Sequence, residues 1–282
     1  MPWRWFWRTM FVLLLLPAMS AAQGSWEDKN RAGEKAFQEG QLAAANRLFT
    51  EALKEAQKFG PNDERLAPIY NNLGLVAFVQ NNFIASEALY ERAITVMEAH
   101  GPDNPLLLPV LDNLTTLYVK QWAFSKAIQT SWRAYHIREK KFGVSNPETV
   151  AGLSKLAGFY LDDVRLLPTS PSDKLPPIDA AQTNLAADAG SELQGSEPST
   201  KNTLAMDDVT KLAIAEALFR QVLEVQGKAY GKENTRLVDV LESLGEVLAL
   251  RENPMRRKRH MPERSPSWRR VSVRMTSDLL CW

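Results

Sequence analysis

Apolar and small side chains recur at intervals of three and four residues in four segments of the chain, and these segments align without gaps. In the first of them the apolar face is formed by Ala45, Phe49 and Ala52. Side chains at positions i, i+4 and i+7 share one face of an α-helix, so each segment is predicted to be an amphipathic helix. The four segments are AANRLFTEAL (44–53), ASEALYERAI (85–94), KAIQTSWRAY (126–135) and IAEALFRQVL (214–223).

A glycine that opens a loop follows each segment and sets the length of a repeat. These glycines are Gly60, Gly101, Gly143 and Gly231, which are spaced 41, 42 and 88 residues apart. Glycine is favoured just after a helix because the chain there often turns left-handed. A leucine stands thirteen residues after each glycine and marks another helix of the repeat, so the unit is predicted to be a helical pair. The leucines are Leu73, Leu114, Leu156 and Leu244.

These signals together predict nine helices. Gly40 and the pair Asn81-Asn82 supply tight turns between the two helices of a unit. The predicted helices are 26–38 with 43–59, 64–80 with 84–99, 105–121 with 125–142, 147–163 with 208–230, and an unpaired helix at 235–251.

The Leu73-Gly74 pair, the ASEALYERAI segment and the Gly101-Pro102-Asp103-Asn104 loop resemble the tetratricopeptide repeat. The resemblance extends to its kinesin-light-chain-like subclass, whose repeats are about 42 residues long, and it covers residues 26–165 and 208–251. It implies an all-α fold, a right-handed superhelix (α-solenoid) of antiparallel helical hairpins in which each pair buries its apolar face against its neighbours.

The first 22 residues have the order of a secretory signal peptide. Arg4 and Arg8 precede the apolar run MFVLLLLPAM, and Ser20-Ala21-Ala22 offers small residues for cleavage before Gln23. The apolar run is too short to form a stable membrane-spanning helix. We therefore expect an exported protein, periplasmic or secreted, that meets a membrane only through this segment if it is not cleaved.

The segments of the chain differ in composition, and their boundaries follow from these differences. Residues 166–207 contain five prolines with many Ser and Thr and no aromatic residue, which predicts a disordered insertion within the fourth hairpin. The predicted organisation is a signal peptide (1–22), three hairpins and the first helix of a fourth (23–165), the insertion (166–207), the second helix of the fourth repeat and the first helix of a fifth (208–251), and an irregular basic tail (252–282).

The tail leaves three alternatives open. Residues 256–274 carry eight Lys or Arg against one acid, Glu263, and show no helical periodicity. The tail is a frameshifted end, a disordered end, or a basic arm for anionic lipid or nucleic acid. We expect no nucleic-acid partner, because an exported protein rarely meets nucleic acid.

No pattern of catalytic or metal-binding residues is present. The chain has one cysteine, Cys281, and three histidines that lie far apart in sequence. It contains no GxGxxG, GxxxxGK[ST], HExxH or GxSxG motif. We therefore predict a non-enzymatic protein with no catalytic residue, no metal site and no cofactor.

The remaining hypothesis is a binding surface. In the resembled family the first helices of the repeats line a concave groove, and an Asn just before the repeat leucine often contacts a peptide. The resemblance implies a scaffold that binds a peptide or a partner domain through protein–protein interaction. The corresponding candidates are Asn71, Asn72, Leu75, Phe78, Asp112, Asn113, Thr116, Val119 and Lys155.

Two alternatives accompany this hypothesis. Asn72 and Asn113 could instead only satisfy hydrogen bonds of neighbouring helices. The protein could also be a structural or assembly protein of the cell envelope that self-associates through its unpaired last helix. That helix is predicted to expose an apolar stripe, formed by Leu237, Val240, Leu241, Leu244, Val247 and Leu248.

Overall fold

The structure is a computed structural model that describes residues 26–166, 206–231 and 235–252. The predicted signal peptide (1–22), nearly all of the predicted insertion and of the basic tail lie outside the described residues. Every regular element among the described residues is helical. The helices are α1 (26–38), α2 (Leu42–Ala56), α3 (Leu66–Val79), α4 (Phe83–Glu98), α5 (Leu108–Lys120), α6 (Phe124–Phe142), α7 (Pro147–Leu166), α8 (Asp208–Tyr230) and α9 (Val238–Glu252).

The chain divides into two compact units, with the boundary between Leu106 and Leu107. Unit 1 contains α1 to α4, and unit 2 contains α5 to α9. Single turns of 3-10 helix lie at Gln57–Phe59, Pro105–Leu107 and Thr235–Leu237. The predicted fold class, an all-α solenoid of antiparallel helical hairpins, is confirmed.

The turns within the hairpins use the same repeat position three times. Gly40, Asn81 and Trp122 follow one another at 41 residues and have φ values of 75°, 59° and 61°. Gly and Asn adopt this left-handed conformation at little cost, whereas a Trp there is strained by roughly 1–2 kcal/mol. The left-handed turn is thus a property of the repeat rather than of one residue type.

Unit 1 is held together by aromatic rings that pack on glycines. The Phe49 ring of α2 lies against Gly33 of α1, and the Tyr90 ring of α4 lies against Gly74 of α3; a methyl group on either glycine would be 2.6 Å from the ring. The Ser86 hydroxyl donates a hydrogen bond of 2.8 Å to the carbonyl oxygen of Gly74. The absence of a side chain therefore sets how closely the two helices of a hairpin approach.

In unit 2, α7 and α8 pack along each other although 41 residues separate them in the chain. Their apolar side chains belong to one core, which includes Leu156, Tyr160 and Phe219. A buried ion pair joins the same helices, with 3.0 Å between Lys211 Nζ and Asp163 Oδ2. The helix α9 packs in turn on α8 through Val240, Val247 and Leu250, all of them buried.

Candidate functional site

In unit 1, three polar side chains from the two first helices form one hydrogen-bonded cluster. The Asn72 side-chain amide of α3 donates to Asn30 Oδ1 at 3.1 Å and to Glu34 Oε1 at 3.2 Å. Within α1, Asn30 donates to Glu34 Oε1 at 2.7 Å. All three residues are partly accessible to solvent. The cluster links α1 to α3 and also places one carboxylate at the surface of these helices.

The other candidates of unit 1 are less accessible. Asn71 and Leu75 are buried, whereas Phe78 is partly exposed and lies 6.0 Å from Phe83 between ring centroids. A ligand in contact with α3 would therefore meet Asn72 and Phe78, which provide one hydrogen-bonding group and one apolar surface.

In unit 2, the accessible candidates of α5 are Asp112 and Thr116. Asp112 forms an ion pair with Arg138 of α6, and the Thr116 hydroxyl donates to the carbonyl oxygen of Asp112 at 2.9 Å. Asn113 and Val119 are buried. The exposed line of α5 therefore runs through positions 112 and 116 rather than through the predicted Asn113.

On α7, Lys155 is exposed and carries a positive charge on the first helix of the fourth repeat. Asp162 lies two turns further along the same helix. Its carboxylate is 3.6 Å from Arg165 Nη1, and Arg165 Nε is 3.1 Å from Glu246 of α9. Burial raises the pKa of the Asp162 carboxyl to about 6. The positive charge of Arg165 lowers this pKa, and the negative charge of Glu246 raises it further.

Two residues of this surface were missed by the sequence analysis. Glu34 accepts from both Asn30 and Asn72, and Arg138 neutralises Asp112. The spacing of Asn30 and Glu34, four residues apart, is a signal for a side-chain contact on a helix. The contact between Arg138 and Asp112 could not be found in this way, because the two residues lie on different helices and no spacing within one helix indicates it.

The arrangement offers hydrogen bonds and charges for binding. Among the described residues, no group of three or more His, Cys, Asp or Glu could hold a metal ion. In the same part of the chain, no helix combines the length and the hydropathy needed to cross a membrane.

Comparison with protein families matches residues 65–140 to the tetratricopeptide repeat. The matched region covers the hairpin α3–α4 and nearly all of the hairpin α5–α6. Residues 65–140 are therefore identified as tetratricopeptide repeats. The family predicted from the Leu-Gly, ASEALYERAI and loop motifs is thereby confirmed. No curated protein matches the sequence.

Three solved structures to which the chain is similar have the following coverages and identities. BtubC (BKLC) from P. vanneervenii has a TM-score of 0.45 at 16% identity, covering 87% of this chain and 94% of that one. A candidate kinesin light chain from Podosopora anserina has a TM-score of 0.44 at 15% identity, with coverages of 79% and 94%. A candidate protein-binding protein from Bacteroides ovatus has a TM-score of 0.36 at 14% identity, with coverages of 81% and 98%.

Proposed function

We propose that this tetratricopeptide-repeat protein is a non-enzymatic scaffold that binds a peptide or a partner domain through the first helices of its repeats. The observation that carries the proposal is the set of accessible hydrogen-bonding and charged side chains on those helices, namely Asn72, Asp112, Thr116 and Lys155. They stand on helices whose other faces are occupied by packing, so in each unit the accessible side chains are available to a ligand.

The chemistry of the two units favours an extended backbone over a terminal carboxylate as the ligand. In unit 1, the Glu34 carboxylate stands beside Asn72 and would repel a negative group, whereas it would accept from a backbone N–H or a Lys side chain. In unit 2, Lys155 supplies the opposite charge. A basic ligand segment matches the charge on α1 and α3 of unit 1, and an acidic ligand segment matches the charge on α7 of unit 2.

Affinity capture with charge-reversal variants tests the proposal. The full chain is used as bait, and recovered proteins are identified by mass spectrometry. Lys155→Glu on the first helix α7 is compared with Arg47→Glu on the second helix α2, where Arg47 is also exposed. Both variants change the charge by the same amount, so only the position of the change differs.

We expect Lys155→Glu to abolish recovery of the partner and Arg47→Glu to leave it unchanged. Equal recovery by both variants would show that the first helices do not carry the binding surface. Circular dichroism of each variant verifies that the helical content is retained.

The proposal includes export, supported by the sequence of residues 1–22. Mass spectrometry of the protein from the exported fraction is expected to find Gln23 at the N-terminus. Recovery of the chain with Met1 still attached, in the cytoplasm alone, would contradict this part of the proposal.

A further inference from the structure

The helix α9 exposes apolar side chains on the side that faces away from α8. Val238, Leu241 and Leu248 are 48%, 51% and 36% exposed, and Gly245 between them is also exposed. Positions i, i+3, i+7 and i+10 share one face of a helix. We call these four residues the open face of α9; in the part of the chain that the structure describes, no helix covers it.

The same repeat positions are buried in the other first helices compared at this register. In α3 they are Ala67, Tyr70, Gly74 and Ala77, all of which are buried. The counterparts in α5 and α7 are buried as well: Leu108, Leu111, Thr115 and Tyr118, then Val150, Leu153, Ala157 and Tyr160. On α3 the second helix α4 places the Tyr90 ring on Gly74 and Arg92 over the Tyr70 ring. By the same register, the open face of α9 is the surface on which a second helix would pack.

Gly245 defines what such a helix must carry. The corresponding glycines, Gly33 and Gly74, each receive an aromatic ring from the second helix, 2.6 Å from where a methyl group would be, whereas nothing lies within 4 Å at Gly245. The ring residue stands sixteen positions after the glycine, as Tyr90 does after Gly74. Small residues accompany it, Ser86 four positions before and Ala93 three positions after, both fully buried.

The sequence that follows α9 does not provide this pattern. The positions that correspond to Ser86, Tyr90 and Ala93 are Arg257, Met261 and Arg264. Pro262 stands among them in the sequence, and proline is unfavourable inside a helix. Two charged side chains would have to occupy sites that are buried in the other repeats.

A second copy of the chain does not provide the pattern through α9 either. The sequence of α9, VDVLESLGEVLALRE, contains no aromatic residue that could fill the site at Gly245. Asp239 and Glu242 lie beside the open face, and both are exposed. If two α9 helices packed on each other through this face, these carboxylates would repel each other.

We infer that the open face of α9 is a docking site for an amphipathic helix of a partner protein, which completes the fifth hairpin from outside. That helix carries a Phe or Tyr with a small residue four positions before it and another three positions after it. It also carries Lys or Arg on the flank that meets Asp239 and Glu242. The open face of α9 does not include the first-helix residues of the proposed function, so either proposal can be wrong while the other holds.

The probe for this inference is a fluorescein-labelled synthetic peptide of residues 81–101, because α4 has the required pattern and includes Arg92. Its binding to the full-length chain is followed by fluorescence anisotropy. We expect saturable binding that weakens at least tenfold for Gly245→Leu, for Leu241→Asp, and for a peptide with Tyr90→Ala. Gly227→Leu on α8, also a helical glycine with open space around it, is the matched control and should change the affinity less than twofold.

Several results would overturn the inference. One is that the peptide does not bind the full chain. Another is that Gly227→Leu and Gly245→Leu weaken peptide binding equally. Sedimentation that shows a dimer dissociated by Leu241→Asp would instead identify a second copy as the occupant. Leu241→Asp replaces a solvent-exposed residue and therefore keeps the test valid if Gly245→Leu folds poorly.

Discussion

Two glycines at the same repeat position have opposite surroundings, and their substitution should have opposite effects. At Gly74 an added methyl group would lie 2.6 Å from the Tyr90 ring, whereas at Gly245 nothing lies within 4 Å. We expect Gly74→Ala to lower the free energy of unfolding by about 1–3 kcal/mol through overpacking. Gly245→Ala should raise it by about 0.5–1 kcal/mol, because alanine favours a helix more than glycine does.

Urea unfolding of the full chain measures both changes, with circular dichroism as the signal. A destabilisation of the same size in both variants would contradict the account, since it would mean that the glycines act through the backbone alone. Gly33→Ala, which would meet Phe49, should behave like Gly74→Ala.

The Asp162 carboxyl makes stability depend on pH in an unusual direction. Its pKa is raised from 3.8 to about 6 in the folded protein, so the folded state binds the proton more tightly than the unfolded one. Between pH 4 and pH 6 the contribution of this carboxyl to the free energy of unfolding therefore falls as the pH rises. Above pH 6 the carboxyl is charged in the folded protein, and its full destabilising effect is present. Asp162→Asn should stabilise the protein at pH 8 by on the order of 1 kcal/mol and lose this gain towards pH 4.

Thermal unfolding of the two proteins from pH 4 to pH 8 measures the difference. A gain for Asp162→Asn that is constant over this range would show that the carboxyl is not responsible.

The burial of individual residues could be predicted from the sequence only in part. The repeat leucines and the small residues of the second helices follow from helical periodicity. Asn71, Leu75, Asn113 and Val119 were expected at a ligand surface, yet each is buried. Repeat position alone does not decide exposure, because small differences in how neighbouring helices pack determine which of two adjacent positions reaches solvent.

At the scale of the elements, the pairing of α7 with α8 depends on contacts that compensate for a long connection. Lys211 and Asp163 form an ion pair with 3.0 Å between Nζ and Oδ2, and both side chains are nearly inaccessible. Removal of one partner leaves a buried charge without compensation. We expect Lys211→Met to lower the free energy of unfolding by about 3–5 kcal/mol.

The double variant Lys211→Met with Asp163→Leu is the matched control for this prediction. It removes both charges and should recover most of the lost stability, because an apolar pair of similar volume often replaces a buried ion pair without loss. Urea unfolding of the three proteins measures the interaction energy. A double variant no more stable than Lys211→Met would contradict the assigned role of the pair.

The helices could be predicted from the sequence more completely than the burial of individual residues. Glycine spacing and aligned segments were sufficient to predict the nine α-helices found among the described residues, since each repeat copies the same apolar positions and turn residues. The helix ends differ by a few residues from the predicted ones: α2 ends at Ala56 and continues as a turn of 3-10 helix to Phe59, and α7 extends to Leu166. The ion pair Lys211–Asp163 and the contact Arg138–Asp112 were not predictable, because each joins two different helices and leaves no spacing pattern within one helix.

At the scale of the whole molecule, the residues that the structure describes combine repeat hairpins with the two kinds of accessible surface considered above. One consists of the accessible polar residues of the first helices, and the other is the open face of α9. The first follows from the family and from exposure in the structure, whereas the second required the comparison of α9 with α3. The sequence had indicated an apolar stripe on the last helix, but Leu237, Val240 and Val247 of that stripe are buried and only part of it is open.

The central claim is that the first helices bind the partner, and titration calorimetry with the recovered partner tests it most directly. The full chain is compared with the double variant Asn72→Ala, Lys155→Ala and with Arg47→Ala. Because each substitution removes a hydrogen bond or a charge worth about 1 kcal/mol, the double variant should raise Kd at least tenfold. Arg47→Ala should change Kd less than twofold. The same Kd for all three proteins would contradict the claim.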